Sequence, residues 1–306
     1  MTKIFIDGSA GTTGLRINDR LSKRNDIELL TIPNELRKDI KTKTEIMNSA
    51  DIVFLCLPDL AAIESVGLVN NSNTVIIDTS TAHRTSDGWT YGFPELIGTE
   101  KIKTSKRIAN PGCHASGFVA LIKPLVDNGI IKPDTLLSCF SLTGYSGGGK
   151  NMIAEYESQN ISSLYLAPRQ YGLAQNHKHL KEMAKISSLE NAPAFSPIVA
   201  NFYSGMEVTV SLFKKDLKGN IDDIKSIYKT TYQSGLVKFC DGTEENGFLS
   251  ANAFSGRDDM EITVHGNDDR IILVSRFDNL GKGASGAAIQ NMNIVMGIDQ
   301  NKGLNV

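Results

Sequence analysis

The sequence predicts an α/β protein: a doubly wound parallel sheet, plus a second α+β domain with a mostly antiparallel sheet. Three observations predict it. Apolar strand-like runs alternate with helical stretches from Lys3 to Thr79, the pattern of a parallel sheet covered on both faces. A glycine-rich loop lies between the first strand and the first helix. Beyond Gly129 strands follow one another with fewer helices between them, as in an antiparallel sheet with helices on one face.

Lys3 to Asp7 is the first strand, and Leu15, Ile17 and Leu21 mark the apolar stripe of the first helix. Between them runs Gly8-Ser9-Ala10-Gly11-Thr12-Thr13-Gly14. Glycines let a pyrophosphate approach the backbone, and the helix N-terminus stabilises its charge. Gly8, Ser9, Gly11, Thr12, Thr13 and Gly14 are therefore candidate dinucleotide-binding residues of a Rossmann-type domain. Their spacing is G-x-x-G-x-x-G rather than G-x-G-x-x-G.

Further strands are expected at Ile27–Ile32, Asp51–Leu57 and Thr74–Thr79. The first of these ends without an acidic residue to hold a ribose 2′-hydroxyl, whereas Arg37 and Lys38 follow and suit a 2′-phosphate. That tilts the cofactor towards NADP; the competing reading of the pair is a solvated helix face. Ligands of open α/β sheets lie beyond the carboxyl ends of strands. Leu57 and Pro58 at one such end, with Ser80 and Thr81 at the next, join the cofactor candidates, and Arg84 suits a substrate anion.

Asn110-Pro111-Gly112-Cys113-His114-Ala115-Ser116-Gly117 then brings a thiol to the start of a helix with apolar residues from Phe118 to Val126. A cysteine there meets unpartnered backbone N–H groups and the positive end of the helix dipole, which favour the nucleophilic thiolate. The other reading is a cysteine that only fills the core. Gln175-Asn176-His177-Lys178-His179-Leu180-Lys181-Glu182 supplies a partner. If it opens a helix, His179 and Glu182 share a face, and the carboxylate orients the imidazole of an acid/base. His177 stays an alternative for that role. Two histidines on opposite sides of a helix start make a poor metal site, and no metal is expected.

Tyr145-Ser146-Gly147-Gly148-Gly149-Lys150 is a second glycine loop. It reads equally as a surface loop or as a cradle for a substrate anion, with Ser146 and Lys150 in contact. Asp278-Asn279-Leu280-Gly281-Lys282-Gly283-Ala284 opens a final small-residue helix, and Asn279 and Gly283 are candidates to approach the cofactor. The expected division is a dinucleotide-binding domain of residues 1–113 plus 284–306, and a catalytic domain of residues 114–283.

With 41% hydrophobic and 22% charged residues over 306 positions, the composition is that of an ordinary globular protein, large enough for two cores. A formal charge of -2 supplies no electrostatic pull towards nucleic acid or an anionic membrane. Cys56, Cys113, Cys139 and Cys240 are widely spaced without a C-x-x-C pair, which reads as reduced thiols of a cytoplasmic protein. The first residues enter a strand directly, so no signal peptide is expected, and no apolar run approaches a membrane span.

Taken together, the two glycine loops, Asp78-Thr79-Ser80-Thr81-Ala82-His83-Arg84, Gly92-Phe93-Pro94-Glu95-Leu96, Asn110-Pro111-Gly112-Cys113, His177-Lys178-His179 with Glu182, and the Asp278–Ala284 run occur in one order. In that order the chain resembles the N-acetyl-γ-glutamyl-phosphate reductases, specifically their shorter subfamily, over nearly its whole length. The first glycine motif lacks the tyrosine of the longer subfamily, and His114-Ala115-Ser116 stands where Tyr/Phe-Ala-Thr is more usual. The resemblance implies NADPH-dependent reduction of an acyl phosphate in arginine biosynthesis, with release of inorganic phosphate. It also implies a second domain carrying the contacts of a homodimer or homotetramer. The residues permit a Cys113 thioester, reduced by hydride and resolved with His179. Three rivals share parts of the pattern: an aspartate-semialdehyde dehydrogenase, a cysteine hydrolase or acyltransferase, and a silent dinucleotide-binding regulator.

Overall fold

The computed structural model describes residues 1–37, 39–242 and 245–306; Lys38, expected to act with Arg37, lies outside them. The chain forms two compact units, Met1–Pro111 with Ala284–Leu304, and Gly112–Gly283 with Asn305–Val306.

The first unit runs β1 (Thr2–Asp7), α1 (Thr12–Leu21), β2 (Ile27–Leu30), α2 (Ile40–Ser49), β3 (Ile52–Leu55), α3 (Asp59–Gly67), β4 (Val75–Asp78), β5 (Thr90–Tyr91), α4 (Pro94–Ile97), α5 (Thr99–Thr104) and β6 (Arg107–Ala109). All six strands are parallel, in the order β2-β1-β3-β4-β6-β5. Side chains alternate across such a sheet, so each strand feeds two cores. Ile4, Ile6, Ile52 and Phe54 pack with Ile17 and Leu21 of α1 on one face. Phe5, Val53 and Leu55 pack with Met47 of α2 and Ala62 of α3 on the other. This is the doubly wound sheet expected from the alternation of strands and helices. The two-residue β5 falls in a stretch that reads as a turn-rich loop.

The second unit begins with α6 (Cys113–Asp127) and β7 (Ser138–Gly144), then α7 (Gly149–Tyr156), β8 (Arg169–Gln170), α8 (Leu180–Ile186), β9 (Ala194–Ala200) and β10 (Met206–Phe213). It continues through α9 (Ile221–Thr231), β11 (Val237–Phe239), β12 (Met260–Gly266) and β13 (Arg270–Phe277). Its seven strands are ordered β11-β12-β13-β10-β7-β9-β8. β12 and β13 form an antiparallel hairpin. The sheet is mostly antiparallel, as expected, with two parallel pairs, β7 with β9 and β11 with β12. A turn of π-helix at Gly281–Ser285 then leads into α10 (Gly286–Val295), whose Ala288, Ile289 and Met292 complete the α1 side of the first core.

α6 is almost wholly buried, although Pro124 lies inside it. A proline at that position cannot donate to the carbonyl of Ala120, and its ring crowds the helix. Buried Tyr232, just past α9, satisfies the freed carbonyl, its hydroxyl donating to Ala120 O at 2.6 Å, and buried Tyr228 of α9 donates to Leu121 O at 2.5 Å. Tyr232→Phe is expected to strand that carbonyl and destabilise the protein by about 1–3 kcal/mol, measured by urea unfolding.

Candidate active site

Each unit carries a cluster of sequence-expected residues. In the first, β1 ends at Asp7, and Gly8 turns the chain at φ +86°, a left-handed conformation that suits glycine. A Cβ there would also overlap the carbonyl of Cys56. Gly11 donates its N–H to Gly8 O at 3.0 Å and caps α1, whose first turn starts with Thr12 and Thr13 and holds no acidic side chain. Gly14 lies buried in the same turn.

A cleft of about 520 Å³ opens beside this loop, lined by Gly8, Ser9, Leu57, the Thr31-Ile32 end of β2, and Arg37. The carboxylate among the described lining residues, Asp7, is tied to Lys43 at 2.6 Å and to Ser65 at 3.0 Å. The cleft therefore offers a helix N-terminus and an arginine, both suited to phosphate, and this fits a nicotinamide dinucleotide. Pro58 caps α3.

The polar residues after β4 bond to neighbouring carboxylates and carbonyls. Ser80 donates N–H and Oγ–H to the buried Asp78, and Thr81 bonds the Asp59 carboxylate. Arg84 is buried, and donates to the carbonyls of Asn110 and Thr79, both at 2.9 Å.

In the second unit the N-terminal ends of α6 and α8 meet. Cys113 is the first residue of α6, Gly112 is its cap, and Gly112 N–H donates to Oε1 of Glu182 at 2.8 Å. Glu182 is buried in the first turn of α8, and His179, also buried, is the cap of that helix. The helix that the two histidines were expected to open thus exists, and it brings Cys113, His179 and Glu182 into one cluster. Gly283 completes it: a Cβ there would sit 3.0 Å from Cys113 Cβ and 3.1 Å from Asp278 O, so only glycine leaves the sulfur's base undisturbed.

Three further side chains surround this cluster, and no local sequence signal marks them as part of it. His114 is buried behind Cys113, with its ring 5.6 Å from that of His179 and 5.5 Å from that of His177. Burial, followed by the charges of His177 and Lys178, pushes its pKa down to about 3. Tyr171 bonds His114 Nε2 at 2.7 Å. Gln175 holds the loop between them, pairing its side-chain amide with both the N–H and the C=O of Phe195, at 2.8 and 2.7 Å. Its φ of +54° is unusual for a residue with a Cβ, and such strain is retained where surrounding bonds over-determine it. Composition signals none of these roles; the departure at His114 from the usual Tyr/Phe is the nearest sequence clue.

His177 differs from His179 in one respect. Its Nδ1 accepts the backbone N–H of His179 at 3.2 Å, so in the neutral ring the proton sits on Nε2. Burial and the charge of Lys178 hold its pKa below the usual histidine value. Asn279 donates to Ser146 Oγ at 3.1 Å and accepts from Gly205 N–H at 2.9 Å. Ser146 is buried in a short 3-10 turn, and Lys150 is exposed on the second residue of α7, so the second glycine loop is a turn and a helix start rather than open loop. All four cysteines are thiols. Among the described residues no group of three or more His, Cys, Asp or Glu side chains is placed to hold a metal ion. No helix of the described residues is long and apolar enough to cross a membrane.

Comparison with known proteins gives the family of the chain. Residues 3–105 match the family described as semialdehyde dehydrogenase, NAD binding domain, and residues 113–279 match the semialdehyde dehydrogenase, dimerisation domain. N-acetyl-gamma-glutamyl-phosphate reductase 2 of Nostoc sp. is 42% identical, with 99% of each chain covered. The N-acetyl-gamma-glutamyl-phosphate reductase of Brucella ovis is 42% identical, covering 96% of this chain and 99% of its own. Among solved structures, aspartate semialdehyde dehydrogenase II of Vibrio cholerae, complexed with ASA, shares the fold at a TM-score of 0.71 and 14% identity, covering 97% of this chain and 98% of that one. The aspartate semialdehyde dehydrogenase of Francisella tularensis does so at 0.70 and 15%, covering 97% and 100%.

Proposed function

The chain belongs to the N-acetyl-gamma-glutamyl-phosphate reductases of the semialdehyde dehydrogenase family, and from that premise we propose that it reduces N-acetyl-γ-glutamyl phosphate to N-acetylglutamate 5-semialdehyde through a Cys113 thioester. The observation that carries the reading is the meeting of two helix N-termini at Cys113, with His179 capping the second. Both helix ends favour the thiolate.

Cys113 Sγ attacks the acyl carbon, and the C–O bond to phosphate breaks, releasing inorganic phosphate and leaving a thioester. The reduced nicotinamide, when bound, would supply hydride for that carbonyl. His179 gives the new oxygen its proton, then removes it as the C–S bond breaks and the aldehyde leaves. His179 is preferred over His177 because His177 Nδ1 already accepts a backbone N–H, which leaves that ring no lone pair for a substrate proton. Glu182, through Gly112 N–H, fixes the turn that presents the sulfur. Ser146, Lys150 and Arg84 are the candidates for the phosphate and the α-carboxylate. Lys150 is the exposed cation of the three, while Arg84 also holds the Asn110 and Thr79 carbonyls.

The cofactor in this reading is NADPH, with Gly8, Ser9, Gly11, Thr12, Thr13 and Gly14 around the pyrophosphate, and Arg37 at the 2′-phosphate. Leu57, Pro58, Ser80, Thr81, Asn279 and Gly283 are the remaining cofactor candidates. Arg37→Ala is expected to raise KM for NADPH about tenfold, the worth of one charge-assisted contact, and to leave KM for NADH unchanged. Equal changes with both cofactors would count against the 2′-phosphate.

In this reading the enzyme is a cytoplasmic homo-oligomer. Exposed Phe140, Phe213 and Ile272 share the outward face of the second unit's sheet and supply an apolar contact. The deciding assay supplies N-acetylglutamate semialdehyde or aspartate semialdehyde with phosphate and each oxidised cofactor. Reduction of NADP with the first aldehyde alone is expected; preference for the second would reassign the substrate.

A further inference from the structure

We propose that Lys43 is a positioning residue of the dinucleotide cleft: its ammonium, together with Ser65, holds the Asp7 carboxylate beside the glycine loop and cancels a charge that would otherwise repel the cofactor's pyrophosphate. The inference rests on the reading of the Gly8–Gly14 loop as the pyrophosphate site.

The problem that this pair resolves is one of sign. A glycine loop that leads into a helix N-terminus attracts an anion through its backbone N–H groups. Yet the residue directly before Gly8 is an aspartate, and Asp7 is the carboxylate among the described residues that line the cleft. It is the last residue of β1, and its carbonyl accepts the N–H of Cys56 at 2.8 Å, so the backbone cannot carry the charge elsewhere. Two charges of one sign repel more strongly where protein replaces water around them.

Three bonds close a ring on that carboxylate. Lys43 Nζ lies 2.6 Å from Asp7 Oδ2 and donates to Ser65 Oγ at 2.7 Å. The Ser65 hydroxyl in turn donates to the same Asp7 Oδ2 at 3.0 Å. Ser65 is buried on α3, and the side chains of Lys43 and Asp7 are 18% and 13% exposed. Salt and water weaken such a shielded pair far less than a surface one.

The place of Lys43 in its own helix points the same way. It lies in the first turn of α2, where its N–H bonds Asp39 O at 3.0 Å and the Asp39 side chain caps the helix through the N–H of Thr42 at 2.7 Å. A cation at that end opposes the helix dipole, so α2 gains nothing from it. The gain comes from Asp7. Lys43 is not among the described residues lining the cleft, so it acts through Asp7 and not on the cofactor directly. The pyrophosphate is common to NADPH and NADH, and Lys43 therefore serves both, unlike Arg37.

The test measures binding rather than turnover. The full chain is titrated with NADPH and with NADH, followed by nicotinamide fluorescence, at low and at high salt. Lys43→Met keeps an unbranched side chain without the charge; it is expected to raise Kd for both cofactors about tenfold at low salt and by less at high salt. Adding Asp7→Asn removes the stranded charge and keeps an acceptor for Ser65, and is expected to return both Kd values to within about twofold of the unaltered protein. A loop that Lys43 merely props in place would not be rescued in this way. Melting curves verify folding. Unchanged binding in folded Lys43→Met, a loss confined to NADPH, or a loss that the double variant keeps overturns the proposal. If Lys43→Met does not fold, Asp7→Asn alone carries the test: it is expected to bind both cofactors at least as tightly as the unaltered protein, and weaker binding overturns the proposal. If the unaltered protein binds neither cofactor, the dinucleotide reading falls and the proposal with it, which separates the two failures.

Discussion

Cys113→Ala is expected to bring reduction of N-acetyl-γ-glutamyl phosphate down to the uncatalysed background while leaving the fold and dinucleotide binding intact. Cys113 is half-buried at the first position of α6, and alanine there keeps the helix start. The chemistry has no substitute for the sulfur. In the proposed route the sulfur displaces phosphate and holds the acyl group covalently for hydride transfer, and alanine offers no nucleophile for that step. Mixing substrate with the unaltered enzyme without reduced cofactor should load one acyl group on the Cys113 peptide, read by mass, and the alanine variant should load none. Titration with NADPH, followed by fluorescence, should be unchanged. Retention of activity by the variant would remove the thioester from the mechanism.

The second large effect is expected at His179. His179→Asn should lower kcat by about 10²–10⁴-fold, the range for a positioned acid/base. Asparagine suits the N-cap position but does not exchange a proton near neutral pH. Acyl loading on Cys113 should persist, because the first step needs no proton on a departing oxygen; turnover should stall after it. His177→Asn is expected to cost far less, since its Nδ1 is already engaged by the His179 N–H. The amide oxygen of asparagine can accept the same bond. A large loss at His177 with little at His179 would exchange their roles.

The signals that could be read along the chain were short-range ones. The G-x-x-G-x-x-G loop, the strand-to-helix period and the Pro-Gly-Cys helix start each fit within one turn or one strand, where sequence spacing and spatial spacing coincide. The pairing of β7 with β9 was not legible, because a parallel pair joins residues separated by two helices and a two-residue strand. For the same reason nothing adjacent to Tyr171 or Ser141 marks them as partners of His114, and nothing near Pro124 shows that Tyr232 supplies the missing donor.

Arg84 and Glu182 show the limit most clearly. A motif identifies a charged side chain, but not which of several nearby groups satisfies it. Arg84 serves the Asn110 and Thr79 carbonyls, and Glu182 serves the N–H of Gly112, seventy positions away. Sequence by itself determined the doubly wound sheet and the thiol at a helix start, because backbone period and helix polarity are local properties. Tertiary structure alone decided which buried polar groups meet: a desolvated donor must find an acceptor wherever the fold brings one, at a separation no spacing rule encodes.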